Sequence, residues 1–91
     1  MKGGEAVRGR TRNAIWRLRN DKTKREGKKC RQLDLARYVG VPRSRISQIE
    51  NGWFLPTRKE LNKIAEYFGV IPEQLYSRVV IEAIDEMDTI E

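Results

Sequence analysis

The stretch "RSRISQIEN", residues 43–51, sets two arginines, two serines and a glutamine around two isoleucines. Arginine can give paired hydrogen bonds to guanine O6 and N7, and glutamine can pair with adenine N6 and N7. Ser44 and Gln48 stand four residues apart and share a helix face, with Arg43 and Ser47 flanking them. Ile46 and Ile49 supply an apolar stripe by which such a helix can dock. These residue types suit hydrogen bonding to base edges. A plain solvated helix face would use the same charges, so the residues need a context.

The charge distribution supplies part of it. The 91-residue chain has a formal net charge of +6, but residues 1–78 hold all 19 Lys and Arg for a net +11, and residues 79–91 carry −5. A basic body with an acidic tail points to a polyanionic partner, most often nucleic acid. With no histidine and a single Cys30, one chain has no Cys–His zinc site, histidine triad, Cys–His nucleophile pair or internal disulfide. No metal, cofactor or catalysed reaction is expected. "MKGGEAVRGR" lacks the apolar centre of a secretory signal, and no run approaches the ~18 apolar residues of a membrane span, so cytoplasmic residence is expected.

The elements that would position residues 43–51 follow from local signals. Residues 1–10 read as a flexible basic arm. Ala14, Ile15 and Leu18 predict a first helix, and "DKTKREGKK", residues 21–29, reads as a basic loop. Leu35, Ala36 and Val39 share a face on a helix over 32–39 that closes at Gly40, and a second short helix over 43–51 stops at Asn51-Gly52. Ala36 is small where these two helices would cross, and Gly40 accepts the positive φ of a tight turn. Thr57 and Glu60 are spaced as a capping box before Leu61, Ile64, Ala65 and Phe68, and "PEQLY" starts a further turn or helix. In the tail, Val79, Val80, Ala83, Ile84, Met87 and Ile90 fall on one side of a helix with Ile81 as the misfit; a strand over "VVIEAI" is the alternative.

In this order, "IWRLR", "QLDLARYVGVPRSRISQIENG" and "KELNKIAEYFGVIPEQLY" resemble the Cro and phage-repressor (XRE-like) helix-turn-helix domains over about residues 12–76. The resemblance implies an all-α, five-helix lambda-repressor-like DNA-binding domain over residues 11–77. Residues 78–91 would form an acidic amphipathic extension and a possible dimerisation element. It also implies a sequence-specific transcriptional regulator, most simply a repressor acting as a homodimer on double-stranded DNA. Arg43, Ser44, Arg45, Ser47 and Gln48 would face bases; Gln32, Asn51 and Arg58 would face phosphates; Arg19 and Glu50 would form a structural ion pair.

Departures from the family pattern are local. Arg31 replaces a hydroxyl cap, Leu33 takes a usually polar site, and Arg58 a usually apolar one. The bases Lys22, Lys24, Arg25, Lys28 and Lys29 suit either phosphate contact or solubility. Trp53, Phe54 and Trp16 are expected to pack on the core, and Cys30 to act as a small hydrophobe. Two other functions use the same residues: an antitoxin whose acidic tail holds a protein partner, and an RNA- or protein-binding module.

Overall fold

The computed structural model describes residues 10–89. Residues 1–9, which hold nearly all of the expected basic arm, and Ile90 at the end of the expected tail stripe lie outside the described residues. Among the described residues five α-helices follow in order: α1 (Ile15–Glu26), α2 (Gln32–Val39), α3 (Arg43–Glu50), α4 (Arg58–Phe68) and α5 (Arg78–Thr89), with a 3-10 turn at Pro72–Gln74 before the last. The described residues contain no strand, and the expected all-α class stands.

Helix α1 corrects the expected loop. It runs on through "DKTKRE" and closes only at Gly27, which has a left-handed φ of 69°. The segment lacks apolar periodicity, but Lys, Arg and Glu are good helix formers. Lys22 pairs with Glu26 at 2.8 Å one turn on, and Arg17 approaches Asp21 at 4.0 Å. Lys24 and Arg25 in the last turn also suit the negative end of the helix dipole. The connection to α2 is therefore short, from Gly27 to Arg31.

Helices α2 and α3 form the expected turn. Gly40 has φ 88° and returns its N–H to the Ala36 carbonyl at 2.8 Å, while Ala36 itself is buried at the crossing. Arg31 cannot accept a hydrogen bond as a hydroxyl cap would, yet the end is not left bare. The Asp34 carboxylate accepts from the Arg31 backbone N–H at 3.0 Å, and the Arg31 guanidinium clamps the same carboxylate. Half of a capping box thus survives. Gly52, just past α3, is needed for contact as well as for its φ of 86°: a Cβ there would lie 2.6 Å from the Thr11 backbone oxygen.

At α4 the full capping box forms: Glu60 N–H donates to Thr57 Oγ1 at 3.1 Å, and Thr57 N–H donates to Glu60 Oε1 at 2.8 Å. The inner faces of all the helices meet in one core whose fully buried members include Ile15, Leu35, Ile46, Ile49, Leu61, Ile64, Leu75 and Ile84. Cys30 is buried among them, its Sγ 3.4 Å from Tyr67 Oη.

The tail is the largest correction. It is a helix, but Ile81 and Ile84 face the core while Val79 is 75% and Met87 49% exposed. Ile81, the apparent misfit, defines the buried side. Of the expected stripe, Ile84 is fully buried and Val80 packs against the core, while Val79 and Met87 face outward. Trp16, Trp53 and Phe54 also depart from expectation, all being more than half exposed. The aromatic members of the core are instead Phe68 and Tyr76, among mostly aliphatic side chains.

Candidate nucleic-acid interface

Burial fixes how α3 presents its residues. Ile46 and Ile49 are fully buried, so the residues opposite them must face outward. Arg43, Ser44 and Gln48 are exposed on that side, and Ser47 is half-buried at its edge. Arg43 Nη1 donates to Gln32 Oε1 at 3.0 Å, which joins the start of α3 to the start of α2. Arg19, Lys29, Arg31, Gln32, Leu33 and Arg43 line a shallow groove there of about 430 Å³, a cationic seat beside the outward row. The half-buried Leu33 forms part of this groove wall, although the position is usually polar.

Two ion pairs hold α3 in place. Arg19 Nε and Nη2 donate to Glu50 Oε1 and Oε2 at 3.0 and 2.8 Å, with both side chains largely shielded from solvent. The same guanidinium donates to the Cys30 carbonyl at 3.0 Å, so one side chain ties α1, the short connection and the end of α3 together. Asn13 adds to this, donating to the Ile49 carbonyl at 2.9 Å and accepting the Ile15 N–H at 3.0 Å.

The second pair reassigns Arg45. Its Nε and Nη2 donate to the Glu60 carboxylate at 3.1 and 2.8 Å, and Nη2 reaches the Leu55 carbonyl at 3.3 Å. Arg45 is therefore committed to the start of α4 rather than presented with Arg43 and Gln48. Burial works to raise the Glu60 carboxyl, but the hydrogen bonds from Arg45 and Thr57 outweigh it and hold the group below its ordinary value.

Arg58 is likewise drawn elsewhere. Its backbone N–H donates to Asp88 Oδ2 at 2.6 Å and its Nη1 lies 3.6 Å from Asp85 Oδ1. Burying Ile81 and Ile84 brings Asp85 and Asp88, each four residues on, to the same side of α5 and against α4. Arg58, expected at a phosphate, is thus also a partner of the acidic helix. Lys22 is similarly engaged, paired with Glu26 and lying 5.0 Å from the centre of the Tyr67 ring.

Asn51 closes α3, and its side chain reaches Ser47 Oγ at 3.4 Å. The residue that sequence reasoning missed is Arg10. It donates from Nε and Nη2 to the Asn51 carbonyl at 3.2 and 3.1 Å and lies 4.8 Å over the Trp53 ring. Its only signal was a positive charge within an uninformative arm. Among the described residues, no group of His, Cys, Asp and Glu could hold a metal ion, and no helix is long and apolar enough to cross a membrane.

Known proteins bear on this geometry. The chain is 43% identical over 44 residues to the ImmF control region 10 kDa protein of Bacillus phage phi105, a match covering 48% of this chain and 49% of the phage protein. It is 44% identical over 45 residues to an uncharacterised HTH-type transcriptional regulator of Methanocaldococcus jannaschii, covering 50% of this chain and 68% of that protein. The matches thus span about half of the phage protein and about two thirds of the archaeal one. No solved structure matches. The model of the helix-turn-helix domain matches residues 22–80, well over half of the chain. The family is not one of enzymes, and the matched residues include the turn at Gly40 that joins α2 to α3: the chain belongs to the helix-turn-helix domain family.

Proposed function

We propose that the protein binds double-stranded DNA in a sequence-specific manner and regulates transcription, most simply as a repressor, with α3 in the major groove. The observation that carries this reading is the outward row Arg43, Ser44 and Gln48 on a helix whose opposite face is buried and pinned by Arg19 and Glu50. Arg43 and Gln48 would read base edges, Ser44 and Ser47 would contact the same surface, and Gln32 and Asn51 would meet phosphates on either side. Both relatives are named as control or regulator proteins, which supports the same reading. The mechanism is occupancy: phosphate contacts set the register, base contacts select the site, and the bound protein blocks polymerase.

A lone reading helix touches only a few base pairs, too few to select one site among many competitors. Two copies on a two-fold axis, with half-sites about 10 bp apart, would meet that need. The tail stripe is a weak candidate for the dimer contact, because Ile81 and Ile84 already serve the monomer core. Truncation after Ser77 would unfold before it informed, so the full chain is the object to measure. Selection from a random duplex pool should return a two-fold symmetric motif, with two chains per duplex by light scattering. Recovery of no motif would end the sequence-specific reading, and one chain per duplex would end the dimer.

A further inference from the structure

An open cleft of about 800 Å³ lies away from the outward row of α3, between the end of α1, the outer side of α2 and Tyr67 on α4. Five cations and two carboxylates line it, with Tyr38 and Tyr67 forming part of its wall. Lys22 is matched by Glu26 and Arg31 by Asp34, and both carboxyls are held below their ordinary values mainly by those hydrogen bonds. Lys28, Lys29 and Arg37 have no hydrogen-bond or ion-pair partner among the described residues, so a surplus of three positive charges faces one concavity. Like charges held together in a cleft with low-dielectric walls focus the field there, and an anion relieves their repulsion.

We propose that this cleft is a second phosphate-binding site, separate from the groove beside Gln32. Two of its residues indicate the source of the phosphate. Lys29 and Arg31 line both the cleft and the groove where Gln32 and Arg43 meet, so the cationic surface is continuous from the start of α3 outward. That continuity favours the sugar–phosphate backbone flanking the bases read by α3, and to that extent the inference rests on the DNA-binding reading above. A free polyphosphate has the same chemistry and is the other source. The arginine guanidiniums can hold phosphate oxygens in pairs, and the lysines act as mobile point charges.

The test uses the full chain, a 24-bp duplex of arbitrary sequence, and inorganic pyrophosphate. Lys28→Ala/Arg37→Ala removes two exposed cations that make no hydrogen bond or close ion pair, though they lie in the fields of Glu26 and Asp34, and should change the melting temperature little. Lys59→Ala/Arg78→Ala removes the same charge from outside the cleft. If flanking backbone occupies the cleft, the log–log salt slope of the first variant should be shallower than wild type by roughly 1.8, about 0.9 per lost phosphate contact. The control pair should change it much less. If the slopes agree but millimolar pyrophosphate raises the melting temperature of wild type and not of the cleft variant, the site takes a free polyphosphate. Equal slopes with no pyrophosphate effect overturn the proposal, as does a control pair that loses as much as the cleft pair. If wild type binds no duplex, the DNA reading fails on its own, and the pyrophosphate comparison alone decides the cleft.

Discussion

The outer edge of α3 and its inner edge are built from the same residue type and behave oppositely. Arg43 stands at the solvent side and hydrogen-bonds to Gln32, whereas Arg45, two residues on, is locked to Glu60 and the Leu55 carbonyl. On the inner side, Glu50 is held by Arg19 with even less exposure to solvent. Arginine identity therefore does not tell a reading residue from a scaffold residue; the position of a carboxylate on a neighbouring helix does. The inner edge sets where α3 lies, and the outer edge is left exposed for the base recognition proposed above.

That division predicts opposite mutational signatures. The largest effect should come from Glu50→Ala, which strands the shielded Arg19 charge. Breaking one side of a buried pair costs about 3–5 kcal/mol. In a domain of this size, at about 4–8 °C per kcal/mol, that lowers the melting temperature by roughly 12–40 °C. An Arg19→Met/Glu50→Leu double variant should recover part of the loss. Melting curves that agree among the three proteins would place the pair at the surface and remove half of the inner edge.

Glu60→Ala should come next. It removes both the Arg45 partner and the reciprocal half of the α4 cap, for about 1–2 kcal/mol in urea unfolding. The pH dependence has a definite sign. Glu60 is depressed from its ordinary value of 4.5, so the unfolded chain binds the proton more readily than the folded one. Its contribution is fully present above pH 4.5 and is lost as the pH falls through the lower folded value. Wild type should therefore lose more stability than Glu60→Gln on acidification from pH 6 to pH 3. Parallel curves would mean that the Arg45–Glu60 contact carries no net stability.

The sequence showed the α2–turn–α3 unit and the start of α4 because short-range rules govern them. Ala36 and Gly40 fix a crossing and a turn within five residues, and Thr57 with Glu60 fixes a cap within four. The second half of α1 was hidden because charged residues paired one turn apart can sustain a helix without an apolar stripe. The buried side of α5 was hidden for a different reason. Val79 and Ile81 are both apolar, and packing against α4 and the Pro72–Gln74 turn decides which of them is buried. Arg45–Glu60 and Arg58–Asp85 join residues 15 and 27 positions apart, so no periodicity announces them. Those carboxylates give Arg45 and Arg58 structural partners that no local signal announces.

A smaller effect is expected where α5 meets Arg58. Asp85→Asn/Asp88→Asn loosens a half-exposed contact, so stability should fall by less than about 1 kcal/mol. The freed Arg58 and the two lost negative charges should tighten binding to any duplex while leaving sequence preference intact. An altered selected motif in this variant would show that α5 positions the reading helix rather than merely occupying Arg58.

The outer edge should show almost no stability signature at all. Gln48→Ala removes no charge and no core contact, so its unfolding free energy should stay within about 0.5 kcal/mol of wild type. Its effect belongs to recognition. Selection from a random duplex pool with wild type, Gln48→Ala and Arg45→Ala tests the division between the two edges directly. The account predicts that Gln48→Ala relaxes preference at one position per half-site, with a loss of roughly 1–3 kcal/mol on the wild-type site. Arg45→Ala should return the wild-type motif from a less stable protein. A motif unchanged by Gln48→Ala, or relaxed at one position by Arg45→Ala, would contradict the docking of α3.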